Sequence, residues 1–342
     1  METNIPNLAN LLQLCISKKA LLAGKVLHAR IFRLSLSSDT FLSNHLIELY
    51  SKCNDVNVAY RVFCKIPQRN VYSWNAILGA YCRHNNLRDA YSLFLQMPER
   101  NSVSWNTMIS TMVRTGFEQQ ALDTFDSMML EGIKPSHITF ASILSGCGAL
   151  ADAEFGMKSH GIVVKAGLDR NLYVVNALLF MYTKCGLARE AIHIFGDIPD
   201  PNEVSFTTMM SGLAQTNQVR EAFKMCRLML RKGVQIDSVS LSTILGVCSK
   251  ARFEEIGLYG QNYEFSPIVQ GKEIHTLSIK LGFERDLHLS NSLLDMYAKS
   301  GDMNSAENIF ANLPQLSVVS CNIMIASYGN VYNSEKALEY LR

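Results

Sequence analysis

The sequence predicts an all-α fold, an α-solenoid in which helix-turn-helix repeats stack along the chain. Three observations support this prediction. Apolar residues recur at three- and four-residue spacing, which is typical of one face of a helix. These amphipathic segments come in pairs with a turn between them, and the pairs recur every 31 or 35 residues in a constant phase. A period of about 20–50 residues is typical of a repeat architecture.

One helical pair, in residues 102–136, shows the pattern. Its first helix is predicted over about 105–113 and its second over about 117–129. Gly116 permits the turn between them, and Gly132 and Pro135 end the second helix. The predicted core residues are Trp105, Met108, Ile109 and Met112, then Ala121, Leu122, Phe125 and Met128. A single hairpin of this size cannot bury both apolar faces, so it requires copies beside it.

The other copies emerge when each repeat is aligned on the residue that matches Asn106, the fifth of its own repeat. We predict one array over residues 1–342, with repeats at 5–39, 40–70, 71–101, 102–136, 137–171, 172–202, 203–237, 238–286, 287–317 and 318–342. The repeat at 238–286 holds an insertion at about 251–267, predicted to be an exposed loop, with a partner-docking loop as the alternative. The last repeat is truncated, so we expect the chain to be a fragment.

The twenty-fourth position of each full-length repeat is phenylalanine in most copies. It is Phe63, Phe94, Phe125, Phe195 and Phe310, with Cys226 once and with His28, His160 and His275 in the remaining repeats. A histidine in a slot otherwise filled by phenylalanine indicates packing or a local hydrogen bond rather than metal binding or catalysis.

Cysteines follow the same phase. Cys15, Cys147 and Cys248 share the eleventh position, and Cys53 and Cys185 share the fourteenth. Such regular placement favours small buried slots. No CxxC pair and no Cys/His cluster with ligand spacing occurs, so neither disulfides nor a metal site is predicted, and a reducing compartment is expected.

Composition limits the classes of function. The hydrophobic fraction of 48% is ample for a core, and the net charge of +2 is close to neutral. Nucleic-acid binding would therefore depend on individually placed residues rather than on bulk charge. No apolar run approaches the roughly 18 residues of a membrane span, so no membrane partner is expected.

The N-terminal segment admits two interpretations. Residues 5–39 are poor in acidic residues, as an organelle presequence would be. The basic residues also fit the first repeat, which is the interpretation we favour. They are Lys18, Lys19, Lys25, Arg30 and Arg33.

Several segments resemble the pentatricopeptide repeat family. They are SVSWNTMIS, VYSWNAILGAY, VVNALLFMYTKCGLAREAIHIF and LSNSLLDMYAKSGDMNSAENIF. The alternation of 35- and 31-residue repeats resembles the PLS subclass of plants, and GKVLHARIFRLSLSSD and GKEIHTLSIKLGFERD are similar to its L-type repeats. The resemblance covers the chain from about residue 5 to its end. It implies a right-handed superhelix of stacked repeats whose first helices line a groove for RNA.

In this family, the fifth and last residues of a repeat together face one base of single-stranded RNA. The resemblance assigns that role to Asn44 with Asn70, Asn75 with Asn101, Asn106 with Ser136, Asn176 with Asn202, Thr207 with Asp237, Ser242 with Asp286, Asn291 with Ser317, and Asn322. Amide and hydroxyl groups suit the task because they both donate and accept hydrogen bonds.

The family's pairings imply a target sequence. Asn with Asn implies a pyrimidine (Y), Asn with Ser implies cytosine, and Thr207 with Asp237 implies guanine. Ser242 with Asp286 favours guanine weakly. Ala9 and Ala141 have no side-chain hydrogen bond to offer, so their repeats are expected to choose little. The implied target, written 5′ to 3′, is any–Y–Y–C–any–Y–G–(G or any)–C–Y.

The second position of each repeat is expected to stack between neighbouring bases. These residues are Phe41, Tyr72, Val103, Tyr173, Val204, His288 and Val319. Apolar and aromatic faces stack on any base, so they add affinity without sequence choice.

A structural explanation of the fifth-position asparagines was also considered. Asparagine favours helix N-caps, so a single Asn106 after Trp105 could simply start a helix. Its recurrence at one phase, together with polar last residues, favours the functional interpretation.

No catalytic residue, metal or cofactor is predicted. A deaminase of the kind that accompanies this subclass needs an HxE and a CxxC motif, and this chain has neither. The resemblance therefore implies a specificity factor in organellar cytidine-to-uridine editing, with editing-complex proteins or a deaminase in trans as further partners.

A splicing or stability factor would bind RNA in the same way. A protein-binding scaffold like tetratricopeptide repeats is the alternative from another class, although their W-x-x-L-G-x-x-Y pattern is absent. The expected location is the mitochondrion, with the chloroplast as the alternative.

Overall fold

The computed structural model describes residues 5–216, 218–250, 267–330 and 334–339. This part of the chain forms twenty helices and contains no strand. The helices are α1 Ile5–Lys18, α2 Leu21–Arg33, α3 Thr40–Lys52, α4 Val56–Lys65, α5 Val71–Arg83, α6 Leu87–Gln96, α7 Ser102–Arg114, α8 Glu118–Leu130, α9 His137–Leu150, α10 Ala153–Lys165, α11 Leu172–Lys184, α12 Ala188–Gly196, α13 Glu203–Gln215, α14 Val219–Arg231, α15 Ser238–Lys250, α16 Pro267–Lys280, α17 Leu287–Lys299, α18 Met303–Ala311, α19 Val318–Asn330 and α20 Ser334–Glu339.

The chain divides into two compact parts, Met1–Ala177 and Leu178–Arg342. In the first part, α1 packs on α2, α3 on α4, α5 on α6, α7 on α8 and α9 on α10. The first helices of successive hairpins also pack on one another, from α1 through α3, α5 and α7 to α9. The second part repeats this arrangement, with α13, α15, α17 and α19 in succession. The predicted all-α solenoid is therefore confirmed within each part.

The hairpin at 102–136 forms as the sequence predicted. All eight of its predicted core residues are buried. Gly116 takes a positive φ of 82° in the turn between α7 and α8, a conformation that glycine adopts without strain.

The two repeat lengths correspond to two lengths of second helix. The 31-residue repeats contain second helices of 9 or 10 residues, such as α4 and α12, whereas α8, α10 and α14 in 35-residue repeats have 13. The short helices α4 and α6 are followed by the C-cap residues Ile66 and Met97, whose backbone is extended. A proline follows each of these residues, and proline disfavours the helical conformation in the residue before it.

Aromatic rings connect consecutive repeats. Phe94 in α6 lies edge-on to Trp105 in α7, with ring centroids 4.8 Å apart. Phe63 and Trp74 form the same contact at 4.9 Å, as do Phe195 and Phe206 at 5.1 Å. The twenty-fourth position of one repeat therefore packs on the fourth position of the next.

Two of the phased histidines make a different contact in this slot. The Nδ1 atoms of His28 and His275 lie 2.9 Å and 3.0 Å from the hydroxyl oxygens of Tyr50 and Tyr297, respectively. The predicted local hydrogen bond is confirmed for both. Burial lowers the pKa of each imidazole below its ordinary value, and Lys65 adds to this effect at His28.

Close packing of helices explains why the two L-type segments, GKVLHARIFRLSLSSD and GKEIHTLSIKLGFERD, each begin with glycine. A Cβ added to Gly24 would lie 2.3 Å from Leu49 Cδ2, and one added to Gly271 would lie 2.6 Å from Met296 Sδ. Glycine at that position therefore lets these second helices lie against the next first helix without displacing the Leu49 or Met296 side chain.

The cysteines at the eleventh position are buried, as predicted, whereas Cys53 and Cys185 at the fourteenth position are only partly buried, so the prediction of a buried slot is wrong for them. Burial raises the pKa of Cys248 to about 12 and that of Cys226 to about 11, so both thiols stay protonated at neutral pH.

Among the described residues, no group of His, Cys, Asp and Glu is arranged to hold a metal ion. The described helices include none that is long and apolar enough to cross a membrane. The predicted insertion at about 251–267 lies almost wholly outside the described residues, which resume at 267.

Candidate nucleic-acid interface

The fifth-position residues lie in the second turn of the first helices. Asn44, Asn75, Asn106, Asn176, Thr207 and Asn291 are partly buried, Ser242 is buried, and Asn322 is exposed. None of them is a helix-start residue, so the N-cap explanation considered for the fifth position does not apply to it.

The last residue of a repeat takes the capping role instead. Asn101 Oδ1 accepts hydrogen bonds from the backbone N–H groups of Val103 and Ser104, both at 3.1 Å, and so caps α7. Equivalent caps start seven other first helices and are made by Asp39, Asn70, Ser136, Asn171, Asn202, Asp286 and Ser317. Asp237 accepts in the same way from the backbone of Ser240, at 2.7 Å. The position that the sequence assigned to base choice therefore also stabilises the next helix.

Two fifth-position residues are hydrogen-bonded to the last residue of their own repeat. Asn75 Nδ2 donates to Asn101 Oδ1 at 3.2 Å, and Asn106 Nδ2 donates to Ser136 Oγ at 3.0 Å. The structure thus brings together pairs that are 26 and 30 residues apart in sequence. Each pair joins the polar side chain of one first helix to the N-cap residue of the next first helix.

Other predicted pairs are arranged differently. Asn44 Oδ1 and Asn291 Oδ1 are buried without a hydrogen-bond partner among the described residues. Thr207 Oγ1 donates to the carbonyl of Glu203 in its own helix at 3.0 Å. Ser242 Oγ lies 3.2 Å from Nδ1 of His288, the second residue of the following repeat.

The carboxylates of Asp237 and Asp286 remain ionised at neutral pH, because the pKa of each is lowered. Burial acts to raise the pKa of Asp237, but hydrogen bonds from Ser240 outweigh it and lower the pKa. The backbone N–H of Leu289 lowers the pKa of Asp286. Burial raises the pKa of Glu203, and the neighbouring Asp237 adds to that effect.

The second-position side chains form the most exposed apolar feature of the first helices. Tyr72 and Tyr173 are each 77% exposed, and Phe41, Val103, Val204 and Val319 range from 51% to 56%. His288 is also exposed. Sequence reasoning missed Ile138 and Val239, which hold the same position and are 50% and 57% exposed. Their second place in the repeat was the signal that could have identified them.

A basic residue ends many of the first helices, and sequence reasoning did not single out this set. Its members are Lys52, Arg83, Arg114, Lys184, Lys250 and Lys299, all exposed. A cation at a helix C-terminus interacts favourably with the helix dipole. It also supplies a positive charge on the same helix as the polar fifth residue.

A solenoid of helical hairpins with regularly spaced polar and exposed aromatic residues defines a helical-repeat binding protein. Comparison with known families identifies which one. The profile described as "PPR repeat family" matches residues 69–101, 100–149 and 201–250, and that described as "PPR repeat" matches 41–71, 173–200, 289–317 and 319–342. Together they match more than half of the chain, which belongs to the pentatricopeptide repeat family.

Similar proteins occur in Arabidopsis thaliana. One pentatricopeptide repeat-containing protein is 50% identical over 339 residues, which are 98% of this chain and 43% of that protein. A mitochondrial one is 33% identical over 315 residues, 92% of this chain and 26% of its own length. A chloroplastic one is 29% identical over 340 residues, 99% of this chain and 36% of its own length. The chain thus spans less than half the length of these relatives.

The crystal structure of the maize pentatricopeptide repeat protein PPR10 has the same fold. It aligns with a TM-score of 0.51 and 17% sequence identity, covering 98% of this chain and 57% of that one.

Proposed function

We propose that this chain binds single-stranded RNA sequence-specifically, one base per repeat, as a specificity factor in organellar RNA metabolism. The observation that carries the proposal is the joined pair of polar residues at the fifth and last positions, beside an exposed apolar second residue. Pentatricopeptide repeats read one base per helical repeat with two or three side chains. The paired polar atoms would meet the edge of a base, and the second-position side chain would stack on its face.

The proposed target is any–Y–Y–C–any–Y–G–(G or any)–C–Y. Pyrimidines would face the repeats of Asn44, Asn75, Asn176 and Asn322, and cytosine those of Asn106 and Asn291. Guanine would face Thr207, whose partner Asp237 can accept a hydrogen bond from a base N–H.

The basic residues that end the first helices would contact phosphates. Phosphate contacts position a nucleic acid without selecting its sequence. Lys52 and Lys299 form ion pairs with Glu48 and Asp295, at 3.1 Å and 2.7 Å. Exposed pairs of this kind contribute little, so RNA could displace them readily.

Within organellar RNA metabolism, we favour cytidine-to-uridine editing. The alternation of long and short second helices resembles the PLS subclass, whose members act in editing. The deaminase would be supplied in trans or by a part of the protein outside this chain. Splicing and transcript stability are the alternative outcomes of the same RNA binding. Relatives named mitochondrial and chloroplastic support a plant organelle, and we place the mitochondrion first.

A binding assay tests the proposal directly. We expect fluorescence anisotropy to show that the 342-residue chain binds a ten-base RNA of the proposed sequence more tightly than single-base variants. Replacing Thr207 with asparagine should shift the preference at the seventh base from guanine to a pyrimidine. An unchanged preference there would refute the one-base-per-repeat assignment. Binding to short peptides with no binding to RNA would indicate a protein-binding scaffold instead.

A further inference from the structure

A buried hydroxyl recurs at the third position of the first helices. It belongs to Ser73, Ser104, Thr139, Ser205, Ser240 and Ser320, each of which is 0% exposed. Most buried hydroxyls have hydrogen-bond partners, so the partners of Ser104 and Thr139 indicate their role. Ser240 Oγ has no partner among the described residues.

Ser104 bonds to two asparagines of the preceding repeat. Its Oγ lies 2.7 Å from Oδ1 of Asn75 and 3.1 Å from Oδ1 of Asn101. The hydroxyl proton can therefore go to Asn75, the closer acceptor. The Asn101 backbone N–H donates to the same Oγ at 3.3 Å, which completes a capping box. Ser104 thus connects the cap of its own helix to the fifth residue of the repeat before it.

Thr139 makes the same connection in the next repeat. Its Oγ1 donates to Oδ1 of Asn106, and Ser136 N donates to it at 2.8 Å. Asn106 Nδ2 in turn donates to Ser136 Oγ. Asn106, Ser136 and Thr139 are therefore all hydrogen-bonded to one another. Asn75, Asn101 and Ser104 form the same arrangement one repeat earlier.

These bonds determine the direction in which the fifth-position amide faces. The capping N–H groups of α7 make Asn101 Oδ1 an acceptor, so Asn75 must turn its Nδ2 toward it. Ser104 then donates to Asn75 Oδ1 from the other side. One Nδ2–H of Asn75 is left for a base, and its oxygen is turned toward Ser104, which occupies one of the two lone pairs.

We propose that Ser104 and Thr139 are positioning residues for base choice, whose hydroxyls hold the fifth-position asparagines of the preceding repeats, Asn75 and Asn106, as hydrogen-bond donors. This inference rests on the proposed RNA binding. A committed donor matches the acceptor atoms of a pyrimidine, such as O2, and opposes the N1–H and amino group of guanine. Without the hydroxyl, the 3.2 Å bond to Asn101 alone would hold this orientation, and the amide would turn its oxygen to guanine more readily.

The repeat at 40–70 provides an internal comparison. It has the same Asn–Asn pair, Asn44 with Asn70, and the following repeat has Ser73 in the third position. Ser73 Oγ donates to Asn70 Oδ1 at 3.0 Å, whereas Asn44 Oδ1 has no partner among the described residues. If only the fifth and last residues selected the base, these two repeats would discriminate equally between a pyrimidine and guanine. The hydrogen bond from Ser104 to Asn75 predicts stronger discrimination at the base that faces Asn75.

The test measures affinities of the 342-residue chain for RNAs with a pyrimidine or guanine at the second or third base. In the wild type, guanine at the third base should weaken binding about fivefold more than guanine at the second, the factor expected from one hydrogen bond. Ser104→Ala should reduce this difference, because one of the two bonds that orient Asn75 is lost. Ser104→Thr, which supplies the same hydroxyl as Thr139, should retain it. Ser73→Ala should leave the choice at the second base unchanged.

Three outcomes would overturn the inference. One is equal discrimination at the two bases by the wild type. Another is undiminished discrimination by Ser104→Ala. The third is a loss of affinity by Ser104→Ala that is equal for all RNAs and accompanied by a lower melting temperature, which would indicate a purely structural role. A wild-type chain with no base preference at any position would refute the proposed function itself.

Discussion

At the scale of the residue, the last position of each repeat serves the next helix as well as the proposed base contact. Asn101, Ser136 and Asp237 each accept a hydrogen bond from the N-terminal backbone of the following helix. Replacing such a cap with alanine typically lowers the free energy of unfolding by about 1 kcal/mol. A substitution that tests base choice should therefore exchange one capping residue for another.

Such an exchange is available in the repeat at 102–136. The double change Asn106→Thr and Ser136→Asp copies the pair found at Thr207 and Asp237. We expect the preference at the fourth base to change from cytosine to guanine by about tenfold, within the range of a good base contact. Affinities for the four single-base variants of the target measure the change.

The control for this exchange is Ser136→Asp alone, which keeps the cap and should not create a guanine preference. The pair Asn106→Ala and Ser136→Ala should remove both affinity and preference for cytosine. If that alanine pair binds every variant as the wild type does, these two residues do not read the base.

At the scale of the element, the junction between repeats depends on one slot of the second helix. Phe94 is buried against Trp105, and the guanidinium of Arg100 lies 5.0 Å from the centre of the Phe94 ring. Arg100 Nε also donates to the Phe94 carbonyl at 3.0 Å. A single side chain thus joins α6, the loop after it and α7.

Removing that side chain should destabilise the fold strongly. Phe94→Ala is expected to lower the free energy of unfolding by about 3–5 kcal/mol, because it leaves a cavity at the junction. The neighbouring Leu95 is exposed, so Leu95→Ala should change stability by less than about 0.5 kcal/mol. Urea denaturation followed by circular dichroism compares the two, and equal effects would contradict this account of the junction.

Histidine in the same slot should make stability depend on pH. The folded-state pKa of His28 and His275 lies below the ordinary value of 6.5, because burial disfavours the charged form. Just below pH 6.5 the unfolded chain therefore binds more protons than the folded one. This contribution to stability is complete above pH 6.5 and declines as the pH falls below it.

The double change His28→Phe and His275→Phe should reduce this decline, since phenylalanine fills the slot elsewhere. Thermal unfolding between pH 5 and pH 7.5 provides the measurement. His137→Gln, at an exposed position, is the control and should keep the wild-type pH profile. A double variant with an equally steep decline would show that these two imidazoles do not cause it.

At the scale of the whole molecule, the net charge of +2 leaves little bulk attraction for RNA. Affinity would come from the sum of single-base contacts and from the basic residues that end the first helices. Sequence choice would likewise accumulate over the repeats, since each base contributes only a modest preference.

The salt dependence of RNA binding tests the contribution of the basic residues. Lys52→Gln should reduce the slope of log K against log salt by about 0.7, the value for one phosphate contact on a single strand. Lys65 ends the second helix of the same repeat, and Lys65→Gln should leave the slope unchanged. Base preference should be the same in both variants, and equal slopes for the two would refute the phosphate assignment.

The amino-acid sequence alone was enough to predict the helices, their pairing and the buried positions. These features depend on interactions between residues close in the chain. Apolar spacing selects the buried face of α7 and α8, Gly116 makes the turn, and the prolines after Ile66 and Met97 end the short helices. The repeated phase also placed the Phe94 and His28 slots, because every copy meets the same kind of neighbour.

The hydrogen bonds between polar atoms of neighbouring repeats could not be predicted from the sequence and are seen in the folded chain. The hydrogen bonds of Asn75 to Asn101 and Ser104 span 26 and 29 residues. Ser73 and Ser104 are the same residue at the same position, after the same Asn–Asn pair, yet only Ser104 reaches the fifth-position amide. The physical reason is that a hydroxyl has one proton and several acceptors within reach. Which acceptor receives it depends on the packing of neighbouring first helices, and that packing is not encoded in residue type or spacing.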